Sequence, residues 1–274
     1  MKFAPDARLP CLLWRIAFLP ITVWATIILP AAGPITAGAN FTISDSDADM
    51  IWVTPGTFVM GNTIDAAVDK AESPATRVTL THGFWLGRTE VTQQFYESIT
   101  GQNPSRFTAA GRNAPVERVS WLDAMEFCRL LTERERTAGR LPENHAYTLP
   151  TEAQWEYACR AGTTDAYAGP DPMRMSWHDD NSRESTHPVA QLLPNDWGFH
   201  DMSGNVLEWC RDWYGLYPGG SVTDPTGPDH GHFRKARGGS WRMPLTVGRS
   251  AARAGGSPGR RDYTIGFRVA LVRH

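Results

Sequence analysis

Hydrophobic and polar positions alternate loosely from Ile51 to Met60, and Pro55-Gly56 breaks the run, so this stretch predicts a hairpin that opens the domain. Arg77–Leu80 and Phe84–Gly87 flank Thr81-His82-Gly83 and predict a second hairpin. Thr92 is placed to cap a short helix running through Ile99 and stopped by Gly101. Ser120-Trp121-Leu122-Asp123 has the form of a capping box. Trp121, Ala124, Met125, Cys128 and Leu131 then recur at helical spacing and predict an amphipathic helix. Thr151-Glu152-Ala153-Gln154 repeats the pattern after Pro150, with Trp155, Ala158 and Cys159 on one face and Gly162 as the stop. From Thr163 onward the periodicity fades. Only short strand-like pieces remain, at Val206–Trp209, Phe233–Arg237 and Gly266–Val272. The second half therefore predicts long loops pinned by aromatic side chains, and loops of that length are functional or are held by a metal or disulfide.

The first forty residues have a different pattern. Lys2, Arg8 and Arg15 precede an uncharged apolar run from Ile16 to Ala32, and Thr36-Ala37-Gly38-Ala39 follows with small residues. This order predicts a secretory signal over residues 1–39, cut after Ala39, and hence a periplasmic or secreted body. An uncleaved anchor is the alternative, but Pro20 and Pro30 break the run and its length is marginal for spanning. Residues 40–49 read as a short linker and 50–274 as a single domain.

Composition narrows the class. The 274 residues include 11 Trp, 11 Phe and 7 Tyr, too many aromatic side chains for a solvated coil, and 25 Gly and 20 Pro exclude a coiled coil. A formal charge of −2 lacks the basic stripe of a nucleic-acid binder. Beyond the leader three cysteines remain, Cys128, Cys159 and Cys210, and no C-x-x-C motif suggests a zinc or thioredoxin-like site.

Four constellations carry candidate chemistry. Asp201 and Glu208 flank Gly204-Asn205, a tight turn able to aim carbonyls inward. Carboxylates mixed with carbonyls suit calcium, although a solvated acidic turn fits the same residues. Arg237-Gly238-Gly239-Ser240-Trp241 offers either a serine without an evident His–Asp relay or a Gly-Gly bulge beside a packed indole. His230 and His232, and His178 and His187 near Asp179, Asp180 and Asn181, are histidine pairs in polar loops with a weak metal signal. Arg249, Arg253, Arg260, Arg261 and Arg268 could bind an anionic substrate or form salt bridges within the protein.

Together these pieces resemble the formylglycine-generating enzyme, or sulfatase-modifying factor, family. The matching blocks are Val53–Gly61, Thr89-Glu90-Val91-Thr92, Pro115-Val116 with Val119-Ser120-Trp121, Leu149–Tyr157, Asn195–Trp209, Arg237–Trp241 and Ile265–Arg268, in family order. The resemblance implies an α+β fold related to C-type lectins, with little regular secondary structure. It also implies structural calcium on the side chains of Asp201 and Glu208 and the carbonyls of Gly204 and Val206. A second family calcium site would fall near Trp177–Asn181. Ser240 matches the family's active-site serine, with Trp241 beside it, and Arg249, Arg253 and Arg268 are carried as substrate-binding candidates.

The family's two copper-binding cysteines would fall at Met243 and Gly248. Cuprous ion needs soft thiolates, so copper-dependent formylglycine generation is not expected. Cys128 and Cys159 sit where the family has half-cystines, whose partners fall near Val269 and Ser250. Neither is a cysteine; Cys128 and Cys159 would bond to each other only if their two helices touch, and the pairing among Cys128, Cys159 and Cys210 stays open. The thiol-less family branches include a sulfoxide synthase of ergothioneine biosynthesis, for whose helical iron domain there is no room, and a periplasmic pyoverdine-maturation oxidoreductase of similar layout. The expected function is thus an exported oxidative or tailoring enzyme acting on a peptide, glycan or siderophore-like substrate. The alternative is a calcium-stabilised lectin-like module that binds a peptide or glycan without catalysis.

Overall fold

The structure, a computed structural model, describes residues 35–62 and 69–274. Most of the leader read from the sequence lies outside the described residues. Among these, fourteen strands and three α-helices follow in chain order. They are β1 (Phe41–Thr42), β2 (Asp49–Val53), β3 (Gly56–Met60), β4 (Thr76–Leu80), β5 (Phe84–Gly87), α1 (Gln93–Thr100), α2 (Trp121–Thr137), β6 (His145–Thr148), α3 (Glu152–Arg160), β7 (Ser176–Trp177), β8 (Ser203–Gly204), β9 (Leu207–Trp213), β10 (Ser221–Thr223), β11 (Arg234–Arg237), β12 (Ala254–Gly256), β13 (Ile265–Gly266) and β14 (Ala270–Arg273). The architecture is mixed α+β in one domain.

All three helices stand where capping and periodicity place them. Thr92 accepts from the Phe95 amide. Ser120 with Asp123, and Thr151 with Gln154, form complete reciprocal capping boxes, each satisfying two amide donors that the first helical turn leaves free.

The central sheet runs β1-β2-β5-β14-β6. Every residue of β5 is buried, and its side chains alternate between two cores. Trp85 faces a core shared with α1 and α2, where Phe127 stacks on Tyr96 with ring centroids 5.4 Å apart. Phe84 and Leu86 face a second core built on α3 through Trp155, Ala158 and Cys159.

Burial of β5 on both faces corrects the predicted hairpins. A strand covered on both sides takes ladder partners on both edges, so β5 lies between β2 and β14, while β3 pairs with β4. The strands are as read, but neither predicted hairpin forms. Residues 40–49 are also not a linker. They contain β1, which pairs with β2, and they bury Ile43 in the first core.

The second half is loop-rich, as expected. Its main sheet is β12-β11-β9-β13, with Arg237 opposite Glu208 across the β11–β9 ladder. The short pair β7-β8 sets Trp177 beside Gly204. Gly204 has φ +86°, and a Cβ there would lie 2.1 Å from the Trp177 carbonyl oxygen, so no other residue fits.

The three cysteines are free and buried, and the condition for a Cys128–Cys159 bond, contact between their helices, is not met. Cys128 sits in the first core with Val269, and Cys159 sits in the second. Helix α2 packs on α1 and β6, whereas α3 packs on β3, β9 and β11, so the two thiols face different cores. Burial raises both thiols above their ordinary range, Cys159 to about 11. The Cys159 Sγ instead meets the Ser250 Oγ at 3.5 Å. In a Ser250→Cys variant the introduced thiol is therefore expected to oxidise with Cys159 to a disulfide, read as the loss of two hydrogens by intact mass. The two positions lie 91 apart in sequence, and closing that loop in the unfolded chain is worth up to about 4 kcal/mol in a denaturant titration.

Candidate functional site

Glu208, early in β9, is fully buried. Arg268 grips it with Nε and Nη2, both at 2.6 Å, and the Trp155 indole donates to it at 2.8 Å. The same guanidinium donates to the carbonyls of Gly87 and His200. Asp201 takes the left-handed conformation that the turn before β8 requires. Its Oδ2 accepts from the Ala190 amide at 2.8 Å, but its Oδ1 is buried without a donor.

Glu90, 2% exposed, leaves both carboxylate oxygens without a donor. Burial, followed by the charges of Asp201 and Glu208, holds Glu90 well above the usual carboxylate range. Burial also raises Asp201 to about 6. Three buried carboxylates, Glu90, Asp201 and Glu208, thus share the charge of Arg268, and Glu90 also lines a cleft of about 270 Å³ with Asp49, Arg88, Ala190 and His200. Orphaned buried oxygens of this kind are costly unless a proton or cation meets them. Glu90 was not singled out in the sequence. Its signal was the Thr89–Thr92 block, which reads as a family match and not as a ligand.

Near Trp177–Asn181, Asn181 Nδ2 donates to the Ser176 carbonyl at 2.9 Å and its Oδ1 accepts from the His178 amide at 2.8 Å, while Ser176 Oγ, Trp177 Nε1 and His178 Nε2 are buried without partners.

The arginines expected to hold substrate are instead engaged within the protein. Arg249 pairs both Nη atoms with buried Glu72 at 2.8 and 2.6 Å, and Arg253 pairs with buried Glu152 at 2.7 Å through both Nε and Nη2. Arg268 holds Glu208 in the same bidentate way. Arg260 and Arg261 pair with Asp262 and Asp123 at the surface. The fork geometry that suits an anionic substrate suits an internal glutamate equally well, and buried glutamates stand within reach of the three inner guanidinium groups.

These pairs belong to a larger buried network. Glu156 binds Arg160 and Arg237, and Arg237 also approaches Glu152 at 3.3 Å. Lys235 is fully buried, 3.6 Å from Glu152, with its ammonium 3.2 Å from the Tyr214 ring centroid and no hydrogen-bond partner. Burial lowers Lys235 to about 7 and raises Asp212 to about 7. Glu152 already has two guanidinium partners, so Lys235→Met is expected to be neutral or stabilising by about 1 kcal/mol at neutral pH. Glu152→Gln, which strands several cations, is expected to cost about 3–5 kcal/mol. Chemical denaturation of both variants checks this ordering.

Ser240 is 1% exposed, and its Oγ has no partner. Trp241 is fixed by its amide to the Asn205 carbonyl at 2.8 Å and by its indole N–H to the Tyr263 carbonyl at 3.1 Å. It forms a wall of a pocket of about 320 Å³ with Phe107, Tyr263, Arg106, Arg242 and Asp179. Phe107 meets Trp241 edge-on at 5.1 Å, Arg106 lies 5.0 Å over Tyr263, and Arg242 donates to the Tyr263 hydroxyl. The structure thus places aromatic faces, guanidinium groups and the carboxylates of Asp179 and Glu184 around one concave site walled by Trp241, and the buried Ser240 is not among its lining residues. Met243 and Gly248 lie on the same loop, joined through the Met243 amide to the Ser240 carbonyl. His230 and His232 are both exposed.

Residues 39–273 match the model of the sulfatase-modifying factor enzyme 1-like domain. A chaperone protein LppX of Paenibacillus barcinonensis is 30% identical, over 80% of this chain and 88% of its own. The formylglycine-generating enzyme of Streptomyces coelicolor is 34% identical over 61% of this chain, a stretch that spans 55% of that enzyme. Among solved structures, Treponema denticola variable protein 1 superposes with a TM-score of 0.75 at 28% identity, covering 85% of this chain and 98% of that one. PvdO from Pseudomonas aeruginosa superposes with a TM-score of 0.71 at 25% identity, covering 86% and 99%.

Proposed function

The chain belongs to the sulfatase-modifying factor enzyme 1-like family, and from that premise we propose that it is an exported tailoring enzyme whose site works without the family's copper-binding thiols. The observation that carries this reading is the aromatic and guanidinium-lined pocket walled by Trp241. A concave site of that size, with convergent polar groups, suits part of a peptide or a small aromatic substrate. The relative named as a chaperone makes a protein or peptide the first substrate class to try. Export to the periplasm or medium rests on the leader pattern and on the exposed Thr36–Ala39 segment, where a peptidase has access.

Product formation tests the reading. Culture medium from a strain lacking the gene is incubated with the purified protein and compared by mass spectrometry. A species that changes mass with the wild type but not with Trp241→Ala supports catalysis. A peptide or glycan retained without a mass change would replace the enzyme with a lectin-like binding module.

The thiol-less site has its own test. Met243 and Gly248 stand in for the copper ligands, and neither supplies a thiolate. A Cβ at Gly248 would meet nothing nearer than 3.5 Å, so cysteine fits there. The wild type is expected to show no tight cuprous binding in a competition titration, and Met243→Cys/Gly248→Cys is expected to gain it. Tight one-to-one binding by the wild type would defeat the proposal.

The fold also supports a structural calcium ion held by Asp201, Gly204, Val206 and Glu208. The Asp201 Oδ1 and both Glu90 carboxylate oxygens are buried without a hydrogen-bond donor, and the Asp201 oxygen belongs to this ligand set. The Asp201 carboxyl, raised to about 6 from 3.8, favours its protonated form in the fold. Its contribution to stability is therefore present at low pH and is lost, in calcium-free protein, as pH rises through about 6. Calcium binds the ionised form, so the rise in Tm on adding calcium is expected to be larger at pH 7.5 than at pH 5. At a hundredfold excess over Kd the ion adds about 2.7 kcal/mol. Calorimetry with and without chelator reads the shift, which Asp201→Asn should reduce.

A further inference from the structure

Arg249, Arg253 and Arg268 are closed on internal glutamates, but two arginines of the Trp241 pocket are not. Arg106 and Arg242 are exposed and, among the described residues, neither pairs with a carboxylate. Both stand on one ring. The Arg106 guanidinium lies 5.0 Å over Tyr263 and that of Arg242 5.6 Å over it, and Arg242 also donates to the Tyr263 hydroxyl. A guanidinium stacked on a ring face keeps its in-plane N–H donors free. Two like charges beside one ring repel each other, so the pair favours an anion that both can reach.

The aromatic walls are fixed from behind. Buried Glu117 accepts from the Phe107 amide at 2.8 Å, and buried Gln93 donates to the Phe107 carbonyl at 3.2 Å. Buried Ser182 donates through Oγ to the Trp241 carbonyl at 2.7 Å. Phe107, Trp241 and Tyr263 are therefore preformed, which spares a ligand the cost of ordering them.

We propose that this pocket selects an aromatic carboxylate, its ring packed on Trp241 and Phe107 and its carboxylate bonded to Arg106 and Arg242. The inference deepens the proposed tailoring site and rests on that reading. Planar guanidinium groups suit a carboxylate better than a point cation does, because each offers two parallel donors. Asp179 and Glu184 also line the pocket, and no ion pair joins either to these guanidinium groups. They disfavour a second negative charge on the ligand and can accept from its N–H groups. A free aromatic acid and an aromatic residue at a peptide C-terminus present the same chemistry.

Calorimetric titration of the full-length protein at low salt compares four probes: N-acetyl-phenylalanine, its amide, and an acetylated Ala-Ala-Phe tripeptide as free acid and as C-terminal amide. The better-bound acid is expected to bind at least about tenfold tighter than its own amide. Arg106→Gln/Arg242→Gln is expected to erase that ratio and to leave amide binding unchanged, with Tm within a degree or so of the wild type because both side chains are exposed. A tighter tripeptide acid assigns the pocket to a peptide C-terminus, and a tighter N-acetyl-phenylalanine assigns it to a free acid; either supports the carboxylate site. No binding of either acid, equal affinity of acid and amide, or an acid preference that survives the double substitution would each overturn it. Binding is read without turnover, so its failure is separate from that of the mass-change assay: a substrate converted equally by the wild type and the double variant would remove the arginine anchor and keep the enzyme.

Discussion

The loop-rich half of this protein depends on carboxylate–guanidinium pairs closed inside it. Glu208 with Arg268, Glu152 with Arg253, Glu156 with Arg237 and Glu72 with Arg249 each join segments far apart in the chain. A buried ion pair is weak evidence for net stability, because desolvation offsets most of the attraction. Its value here is geometric. An unpaired partner would be severely penalised, so each loop has one position at which both charges are met. Where strand ladders are short, that requirement fixes loop positions that hydrogen-bonded sheets would fix elsewhere.

Indole N–H groups act in the same way on a smaller scale. Trp121 donates to the Cys210 carbonyl, Trp209 to that of Val119 and Trp241 to that of Tyr263. Each ring buries a large apolar face while its one donor satisfies a main-chain carbonyl of a distant segment. The high tryptophan content and the scarcity of regular structure are therefore two aspects of one solution. The sequence made this legible as loops pinned by aromatics, without saying which carbonyl each ring would find.

What could be read from the residues was local. The capping boxes at Ser120 and Thr151 involve atoms three positions apart, so their chemistry and geometry are both written in the chain. Partners set by the fold could not be read. Arg249, Arg253 and Arg268 find glutamates 177, 101 and 60 positions away, and an arginine facing a substrate would look no different in the sequence. The strand pairing failed for the same reason, since β5 is placed by burial on both faces and not by its neighbours in the chain. Glu90 is the sharper case, because a carboxylate gains chemical meaning only once the fold removes its donors and brings Asp201 close.

The candidate site divides backbone from side-chain information. The Ser240–Met243 turn is held by main-chain bonds: the Trp241 amide to Asn205, the Met243 amide to Ser240 and the Asp179 amide to the Met243 carbonyl. None of these bonds depends on the side chain at 243, and a Cβ at Gly248 would make only ordinary van der Waals contacts, the nearest at 3.5 Å. Thiols at those two positions could therefore be gained or lost without moving the loop. The anchoring residues, buried in ion pairs and indole contacts, have no such freedom. A scaffold built this way can keep its pocket while the side chains beside it change.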